Sequence, residues 1–524
     1  MSSVKNAAKK LADILKNNKL SIALYLLMSV LLVAMLSAKI NLNLDEIYSY
    51  GLANYTKGLN LVVQENVKHE PAAAPYMEYV TATDRFNYRN VWQNQANDVH
   101  PPLYYAIVHT VCSLFPGSFS IWYAGIINIF FSLATLLFVQ LLAWELTGNN
   151  KWATLVVSSA FVLCGGVLYA NAFLRMYIMA MCQVTCITWL IVRQTGENKL
   201  RFFFPLLLVT ATAGALIHYY CIVYTVVICG VYFIYLLVSK KYKQAGLLVG
   251  TGVCAGAAAI AVFPHMIMHI FFSYRGEESF SNLGGAEKVE RLSDFYSILS
   301  RNLFGNAMTA VLIAAAVLAV VAAVKKTKGE AGTAVRRWQY AMVFVPAAVY
   351  FVIISTVAVY ITNRYITPIY AVLLCGVFSL VSLLLVQLVG KNKGVVCTAV
   401  LVAVITVMTF NSCQRGYLYK DTQPLLDFAK QHSETECLYL FDGVRFRMMP
   451  SFVQVSEYKN VNFINYKNEG FLWSCDYSGN DELVLIVVGA DENAIEQVLG
   501  EYPQFTACDE IGDFGYATTY HLHG

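Results

Sequence analysis

The chain has 524 residues, of which 57% are hydrophobic and only 13% are charged. Soluble globular proteins carry roughly 25% charged residues, so this chain lacks the polar side chains to cover a water-exposed surface. The composition excludes a cytosolic enzyme, a nucleic-acid-binding protein and a disordered scaffold. The net charge of +4 conceals two different parts: residues 1–412 hold 30 Lys and Arg against 16 Asp and Glu, whereas residues 413–524 hold 7 against 17.

Apolar stretches of about 18 or more residues predict helices that cross a membrane. We predict about eleven such spans, at residues 20–38, 120–144, 152–170, 172–192, 203–219, 221–238, 246–271, 303–324, 338–360, 366–389 and 394–412. Residues 102–115 are apolar but short, which favours a re-entrant or interfacial helix. The sequence therefore predicts a polytopic α-helical membrane domain over residues 20–412, preceded by an N-terminal segment of residues 1–19.

The distribution of basic residues predicts the orientation of these spans, because cytoplasmic loops are enriched in Lys and Arg. With the N-terminus in the cytoplasm, the cytoplasmic segments carry 19 Lys and Arg against three acidic residues. These segments are residues 1–19, 148–151, 193–201, 239–243, 325–337 and 390–393. The acidic tail, residues 413–524, then lies on the exterior side.

Conspicuous polar and aromatic residues fall at the exterior ends of the spans. They are Asp45 and Glu46 after the first span, Asp98, His100 and Tyr104 at the end of the first exterior loop (41–101), Arg175, His218, Tyr219, Tyr220, Arg275, Arg364 and Tyr365. Ionisable groups at membrane depth are costly and usually mark a functional cavity. We therefore expect these residues to converge on one cavity that opens outward.

Such a set of polar and aromatic residues suits an enzyme that transfers a group from a lipid-linked donor. A carboxylate can act as a general base on an acceptor, arginines can bind a phosphate, and tyrosine rings can stack on a sugar. Each feature also has a purely structural interpretation. Asp45 and Glu46 can be solvated, the residues His100-Pro101-Pro102 can start a helix, and Arg175 can snorkel to an interface. His265 and His269, four residues apart, are better explained by packing than by metal binding.

These residues resemble those of a known superfamily, the GT-C-fold membrane glycosyltransferases that use polyprenyl-phosphate sugars. The resemblance rests on the Asp45-Glu46 pair and on the run DVHPPL (98–103), with support from RMY (175–177), HYY (218–220) and NRYI (363–366). Its members include protein O-mannosyltransferases, aminoarabinose transferases and the Rgt-like bacterial enzymes. The order and placement of the motifs match across residues 20–412.

The resemblance implies an inverting glycosyltransferase in a bacterial plasma membrane, with catalysis at the exterior face. Asp45 would be the catalytic base, assisted by Glu46. The substrate-binding residues would be Asp98, His100, Tyr104, His218, Tyr219 and Tyr220, and the donor phosphate would contact Arg175, Arg275, Arg364 and Tyr365. The implied partners are the lipid-linked donor, membrane lipid and an unidentified glycan, lipid or protein acceptor. No cofactor is assigned, and the question of whether a divalent metal ion is required stays open.

The tail, residues 413–524, predicts a small α/β domain. Residues 437–441, 461–466 and 483–490 form apolar runs typical of buried strands, and residues 491–502 predict an amphipathic helix that begins at Asp491. No nucleophile or metal-ligating constellation is evident in this segment.

The main alternative function of the whole protein is that of a flippase or transporter of lipid-linked sugars, which would place polar residues deep within its spans.

Overall fold

The computed structural model describes residues 18–196, 200–284, 287–324, 333–489 and 491–524. Most of the predicted cytoplasmic segment 1–19 and part of the predicted loop 325–337 lie outside these residues. Within them, eight helices are long and apolar enough to cross a membrane. A ninth span results if Lys288–Phe304 and Met308–Ala323, which are bent by 75° relative to each other, count as one.

The helices are taken in chain order, with short ones between the spans. Up to residue 195 they are α1 (Lys19–Ser37), α2 (Leu44–Asn54), α3 (Ala74–Val80), α4 (Tyr88–Asn97), α5 (Leu103–Leu114), α6 (Ile121–Leu146), α7 (Lys151–Val162), α8 (Gly165–Ala170) and α9 (Tyr177–Thr195). Up to residue 412 they are α10 (Phe203–Ile217), α11 (Tyr219–Val238), α12 (Tyr242–Val262), α13 (Met266–Phe271), α14 (Tyr274–Gly284), α15 (Lys288–Phe304), α16 (Met308–Val324), α17 (Thr333–Val357), α18 (Tyr370–Val389) and α19 (Lys391–Ser412).

Three of the eleven predicted spans are not single helices of membrane length. The stretch 152–170 divides into α7 and α8, and α10 has only 15 residues. The stretch 303–324 contains α16 and the C-terminal end of α15, which stops at Gly305. Gly305 adopts a φ of 59°, a conformation that favours glycine, so the chain turns there. Hydropathy detects apolar content but does not detect such breaks.

The outer surfaces of the spans are apolar. Leu26, Val30, Phe130 and Val253 are each more than 60% exposed, although they lie in long helices. Large apolar side chains exposed in this number are unfavourable in water and favourable against lipid tails. The inward faces form a continuous buried core that includes α1, α6, α7, α9, α11, α17 and α18.

A six-stranded sheet lies beyond the last span, with strand order β1-β3-β2-β4-β6-β5. Its strands are β1 (Lys68–His69), β2 (Cys437–Phe441), β3 (Val461–Asn465), β4 (Glu482–Val488), β5 (Ala507–Phe514) and β6 (Ala517–His523), with helices α20 (Gln423–Gln431), α21 (Phe452–Val455) and α22 (Glu492–Glu501) beside them. Strands β3, β2 and β4 are parallel, and the remaining pairs are antiparallel. The three apolar runs predicted as strands correspond to β2, β3 and β4.

The two faces of this sheet have different partners. One face packs against α22, with Leu485 and Val498 in the same cluster. The other face, which includes Tyr439 and Ile486, shares a core with Tyr76 and other residues of the first long loop. The first loop also supplies β1, which pairs with β3. The loop and the tail are therefore packed together, and the loop that carries the predicted catalytic motif is held by the sheet.

Candidate active site

A cavity of about 400 Å³ lies where the predicted exterior ends of the spans meet the first long loop. Its polar end is lined by Asp45 of α2, His100, Arg175, Arg275 and Arg364. His218, Tyr219, Tyr220 and Tyr365 also line it. Nine of the predicted site residues, which come from six separate segments of the chain, therefore meet at one cavity.

Asp45 lies at the polar end between two arginines. Its carboxylate forms an ion pair with Arg364, and the Arg175 guanidinium donates to the Asp45 carbonyl oxygen at 2.8 Å. Burial alone would raise the pKa of the Asp45 carboxyl, but the positive charges of Arg175 and Arg364 more than offset it and hold this pKa below its ordinary value. Asp45 is therefore ionised at neutral pH, and its side chain is 31% exposed to the cavity.

Arg364 belongs to a short 3-10 turn, Asn363–Tyr365, that follows α17. Its guanidinium carbon lies 5.1 Å from the ring centre of Tyr365, 5.7 Å from that of Phe173 and 5.9 Å from that of Tyr360. These distances permit cation–π attraction from three rings. Arg364 is therefore held by aromatic contacts as well as by Asp45, and can stay in place when its carboxylate partner changes.

A chain of hydrogen-bonded side chains leads from the first long loop to Arg175. Asp98 ends α4, and its Oδ2 lies 2.7 Å from His100 Nδ1. On the other side of the ring, His100 Nε2 lies 3.4 Å from Arg175 Nη2. Burial would raise the pKa of Asp98, but His100 counteracts it and the pKa of this carboxyl is lowered. Asp98 thus orients His100 from behind the cavity wall.

Glu46 points away from the cavity into a closed cluster, which we call the anchor node and define as Lys39, Glu46, Leu174 and Tyr417. Lys39 Nζ lies 2.9 Å from Glu46 Oε1 and donates to the Tyr417 carbonyl at 2.7 Å, and the side chains of Lys39 and Glu46 are 0% exposed. The Leu174 amide donates to Glu46 at 2.9 Å. Glu46 also completes a capping box with Asn43 at the start of α2. The node fixes α2 and the residue next to Arg175.

Aromatic rings form part of the cavity wall. The ring centres of His218 and Tyr220 are 4.6 Å apart, those of His218 and Tyr177 are 5.4 Å apart, and those of Tyr220 and Tyr365 are 5.6 Å apart, and the rings of each pair are tilted by 42–68°. His218 is held by its place at the start of α11, where its Nδ1 accepts a hydrogen bond from the Tyr220 amide. Aromatic rings that carry polar groups suit contact with the face of a sugar ring.

Three of the predicted site residues do not line the cavity. Glu46 belongs to the anchor node, and Asp98 lies behind His100. Tyr104 is fully buried, with its ring packed edge-on against Tyr105 and its hydroxyl without a hydrogen-bond partner among the described residues. We therefore correct their roles from direct contact with substrate to support of the residues that do line the cavity.

Several contributors to the site were not predicted from the sequence. Tyr177 and Tyr360 line the cavity, and Lys39 closes the anchor node. Tyr177 belongs to the RMY motif, whose predicted site residue is Arg175. Lys39 has a detectable signal, because a lysine at the predicted exterior end of a span lies where basic residues are less common and calls for a specific partner.

His269 also lines the cavity, and the Tyr219 hydroxyl lies 2.8 Å from its Nδ1. Among the described residues, one group of His, Cys, Asp or Glu has three ligand atoms within reach of a single ion, and it lies in the tail, at His432, Glu482 and His521. The prediction of no metal constellation in the tail therefore needs correction, because the fold assembles residues from distant parts of the tail.

Comparisons with known proteins are informative at the level of structure. No protein-family model matches the sequence, and no curated protein sequence matches it. The chain is similar to the crystal structure of ArnT from Cupriavidus metallidurans bound to undecaprenyl phosphate, with a TM-score of 0.55, 11% identity, and coverage of 96% of this chain and 98% of that one. The apo structure of the same ArnT gives a TM-score of 0.47 at 10% identity, with coverage of 90% of this chain and 95% of that one.

The fold and the apolar helices define an integral membrane protein. Its fold is similar to that of ArnT over nearly the whole chain. The fold class predicted from the sequence, a polytopic helical membrane protein with a small C-terminal sheet region, is confirmed, and so is the resemblance at the level of the fold.

Proposed function

We propose that this protein transfers a sugar from a polyprenyl-phosphate donor to an acceptor at the exterior face of the membrane, with inversion at the anomeric carbon. The observation that carries the proposal is the cavity itself. An ionised carboxylate, Asp45, faces it and pairs with Arg364, and a further arginine, Arg275, lines the same cavity. Both arginines can bind a phosphate diester. A binding protein for a neutral sugar would need neither the carboxylate nor this concentration of positive charge.

The other end of the cavity supports a lipid-linked donor. It is lined by apolar side chains of α11, α14 and α17, among them Val223, Leu283 and Val357. Because these helices belong to the membrane part, a polyprenyl chain can extend from the polar end along apolar surface without crossing a polar barrier. The undecaprenyl phosphate in the similar ArnT structure is consistent with this class of donor.

In the proposed reaction, an acceptor oxygen or nitrogen attacks the anomeric carbon from the side opposite the phosphate. The new bond forms as the bond between that carbon and the phosphate oxygen breaks. Asp45 accepts the proton of the acceptor group, and the bond electrons leave with the lipid phosphate. Arg364 and Arg275 stabilise the charge that develops on the phosphate, while Arg175 holds the backbone of Asp45.

Arg364 has a second role in the proposed reaction, because it affects the pKa of Asp45. It pairs with Asp45 in the structure, and a bound phosphate competes for the same guanidinium. Donor binding then weakens the Arg364–Asp45 pair and raises the pKa of Asp45, which makes the carboxylate a better base at the moment when a base is needed. The arginine thereby couples occupation of the donor site to activation of the carboxylate.

We also propose that the N-terminal segment, residues 1–19, is cytoplasmic, that residues 20–412 form the catalytic membrane domain and that residues 413–524 form an exterior domain of a bacterial plasma-membrane protein. The excess of Lys and Arg in the segments assigned to the cytoplasm supports this orientation. The acceptor is a glycan, a lipid or a protein, and we assign no cofactor and no nucleic-acid partner.

The test is donor turnover by membranes that contain the full-length protein, supplied with synthetic undecaprenyl-phosphate hexoses and pentoses. Release of undecaprenyl phosphate, followed by chromatography, measures breakage of the sugar–phosphate bond whatever the acceptor. Asp45→Asn is expected to lower this rate by roughly 10²–10⁴-fold, the usual contribution of a general base. Asp84→Asn, a change at an exposed aspartate in the same loop, is the matched control and should turn over donor at the wild-type rate.

The same assay separates transfer from the alternative, transport of lipid-linked sugars. A flippase moves the donor across the membrane with its sugar–phosphate bond intact. Wild-type membranes that translocate the donor without releasing undecaprenyl phosphate would overturn the proposal. So would an Asp45→Asn variant that releases it at the wild-type rate.

A further inference from the structure

We propose that the exterior sheet carries a binding site for one divalent transition-metal ion, with Zn²⁺ as the best-matched ion and His432, Glu482 and His521 as its ligands. The proposal is independent of the proposed glycosyltransferase activity. Each of the three residues contributes one ligand atom, and these atoms all lie within 4.8 Å of one another. All three side chains are partly exposed, so an ion can reach them from solvent.

The fold brings these ligands together from three elements. Glu482 begins β4, and His521 lies in the adjacent strand β6, where the antiparallel register places it diagonally across from Glu482 on the same face of the sheet. His432 follows the last residue of α20, which lies over that face. Because the ligands are spread over this part of the chain, no short motif reveals the site in the sequence.

Two of the three distances between ligand atoms are close to those of a tetrahedral metal centre, and the third lies within 4.8 Å. Glu482 Oε2 lies 3.0 Å from His521 Nε2 and 3.4 Å from His432 Nδ1. Zn²⁺ binds imidazole nitrogen and carboxylate oxygen at about 2.0–2.2 Å, so two ligands at a tetrahedral angle are separated by roughly 3.3 Å. The carboxylate oxygen is thus already at ligand spacing from both histidines, and three protein ligands leave a fourth position for water.

The surroundings of the three residues resemble the outer shell of a metal site. Thr435 donates a 2.6 Å hydrogen bond to Glu482 Oε1, which fixes the carboxylate and leaves Oε2 directed at the two histidines. The ring of Phe428 stacks on His432, with centres 4.2 Å apart, and meets His521 edge-on at 5.4 Å. A hydrogen-bonded carboxylate ligand beside an aromatic shield restricts the rotamers that the ligands can adopt.

The chemistry of the ligands selects the class of ion. Two imidazoles and one carboxylate favour Zn²⁺ and its d-block neighbours, whereas Mg²⁺ and Ca²⁺ prefer ligand sets made of oxygen alone.

The position of the site in the fold also suggests what a bound ion would do. The helix α20 starts after Thr422, whose hydroxyl accepts a hydrogen bond from Asn41 of the first exterior loop, and it ends at His432. A bound ion would tie the far end of this helix to β4 and β6.

The experiment is a calorimetric titration of the full-length, EDTA-treated protein in detergent with Zn²⁺ alone, and in parallel with Mg²⁺ alone. Wild type is expected to bind Zn²⁺ and not Mg²⁺. Glu482→Gln, which keeps the shape of the side chain, and His432→Ala should each lower the number of Zn²⁺ bound per chain by one or weaken that site at least tenfold. His69→Gln changes a partly exposed histidine of β1 in the same sheet and should bind as wild type does.

Thermal unfolding gives a second readout. Zn²⁺ should raise the Tm of wild type and of His69→Gln, and should leave the Tm of Glu482→Gln unchanged, because only a ligand that binds the folded state stabilises it. Equal Zn²⁺ binding by wild type, Glu482→Gln and His432→Ala would overturn the proposal, and so would an absence of Zn²⁺ binding by wild type.

Discussion

The polar end of the cavity and the anchor node behind it each hold a carboxylate, but the two carboxylates have different surroundings. Asp45 and Glu46 are adjacent on α2, and both carboxylates have a basic partner. The Asp45 side chain is 31% exposed to the cavity, whereas that of Glu46 is 0% exposed and bonded on all sides. The difference separates a carboxylate that is open to the cavity, as the proposed base has to be, from one that holds other groups in position.

The largest expected effect is on stability, at the anchor node. Glu46→Gln removes the only carboxylate that contacts the Lys39 ammonium in the described structure. Breaking a buried ion pair on one side costs about 3–5 kcal/mol, since the remaining charge stays away from water. We expect a marked drop in Tm of the purified protein, measured by thermal unfolding in detergent. Asp45→Asn makes the same chemical change one residue away and should leave the Tm close to that of wild type.

A double variant tests whether charge is the cause. In Lys39→Met with Glu46→Leu both charged groups are replaced by apolar ones of similar size, so no unpaired charge stays buried. Its Tm should lie well above that of Glu46→Gln. If the double variant is as unstable as the single one, hydrogen bonds to Leu174 and Asn43 carry the stability instead of the pairing of charges.

A smaller effect is expected on the pH dependence of turnover. The pKa of Asp45 is lowered in the folded protein, chiefly because the charges of Arg175 and Arg364 outweigh the effect of burial. Its carboxylate therefore stays ionised as the pH falls to about 4, the ordinary pKa of an aspartate, and loses its charge only below that pH. Arg364→Met removes one of the two positive charges that hold this pKa down, while the effect of burial stays. We expect the acid limb of the pH profile of kcat/KM, measured with undecaprenyl-phosphate hexose, to move to higher pH.

Arg275→Met is the control for this shift. Arg275 also lines the cavity, but it pairs with Glu278 and donates to the Tyr360 hydroxyl. Its loss should raise the KM for the donor and leave the acid limb in place. An acid limb that is identical in wild type and Arg364→Met would mean that Asp45 is not the group whose ionisation controls turnover.

Much of this arrangement could be predicted from the sequence, because the membrane imposes strong rules. Apolar length located most of the spans, and polar residues at their exterior ends pointed to nine residues that do line the cavity. What could not be predicted is which side of a helix each residue faces. Asp45 and Glu46 are adjacent, and the turn of α2 by about 100° per residue directs one to the cavity and the other to Lys39.

The tail was harder to predict than the membrane part for a related reason. Its strands β2, β3 and β4 are apolar runs and were predicted, whereas β5 and β6 carry many polar residues and were not. The residues that the tail contacts are also distant in the sequence. β1 comes from the first exterior loop and pairs with β3, and His432 meets His521 only after the sheet has formed. Periodicity within a short window carries no information about such contacts, so both the sheet edge and the histidine cluster required the structure.

The smallest expected effect is at Tyr104, where sequence and structure assign different roles. The sequence places Tyr104 in the substrate-binding set, whereas the structure buries it completely and gives its hydroxyl no partner among the described residues. Tyr104→Phe removes an unsatisfied buried polar group, which is neutral or stabilising within about 1 kcal/mol. Donor turnover should stay within twofold of wild type and the Tm should not fall. A large rise in KM would instead mean that Tyr104 reaches the substrate through a rearrangement of α5, and that the cavity wall opens during the reaction.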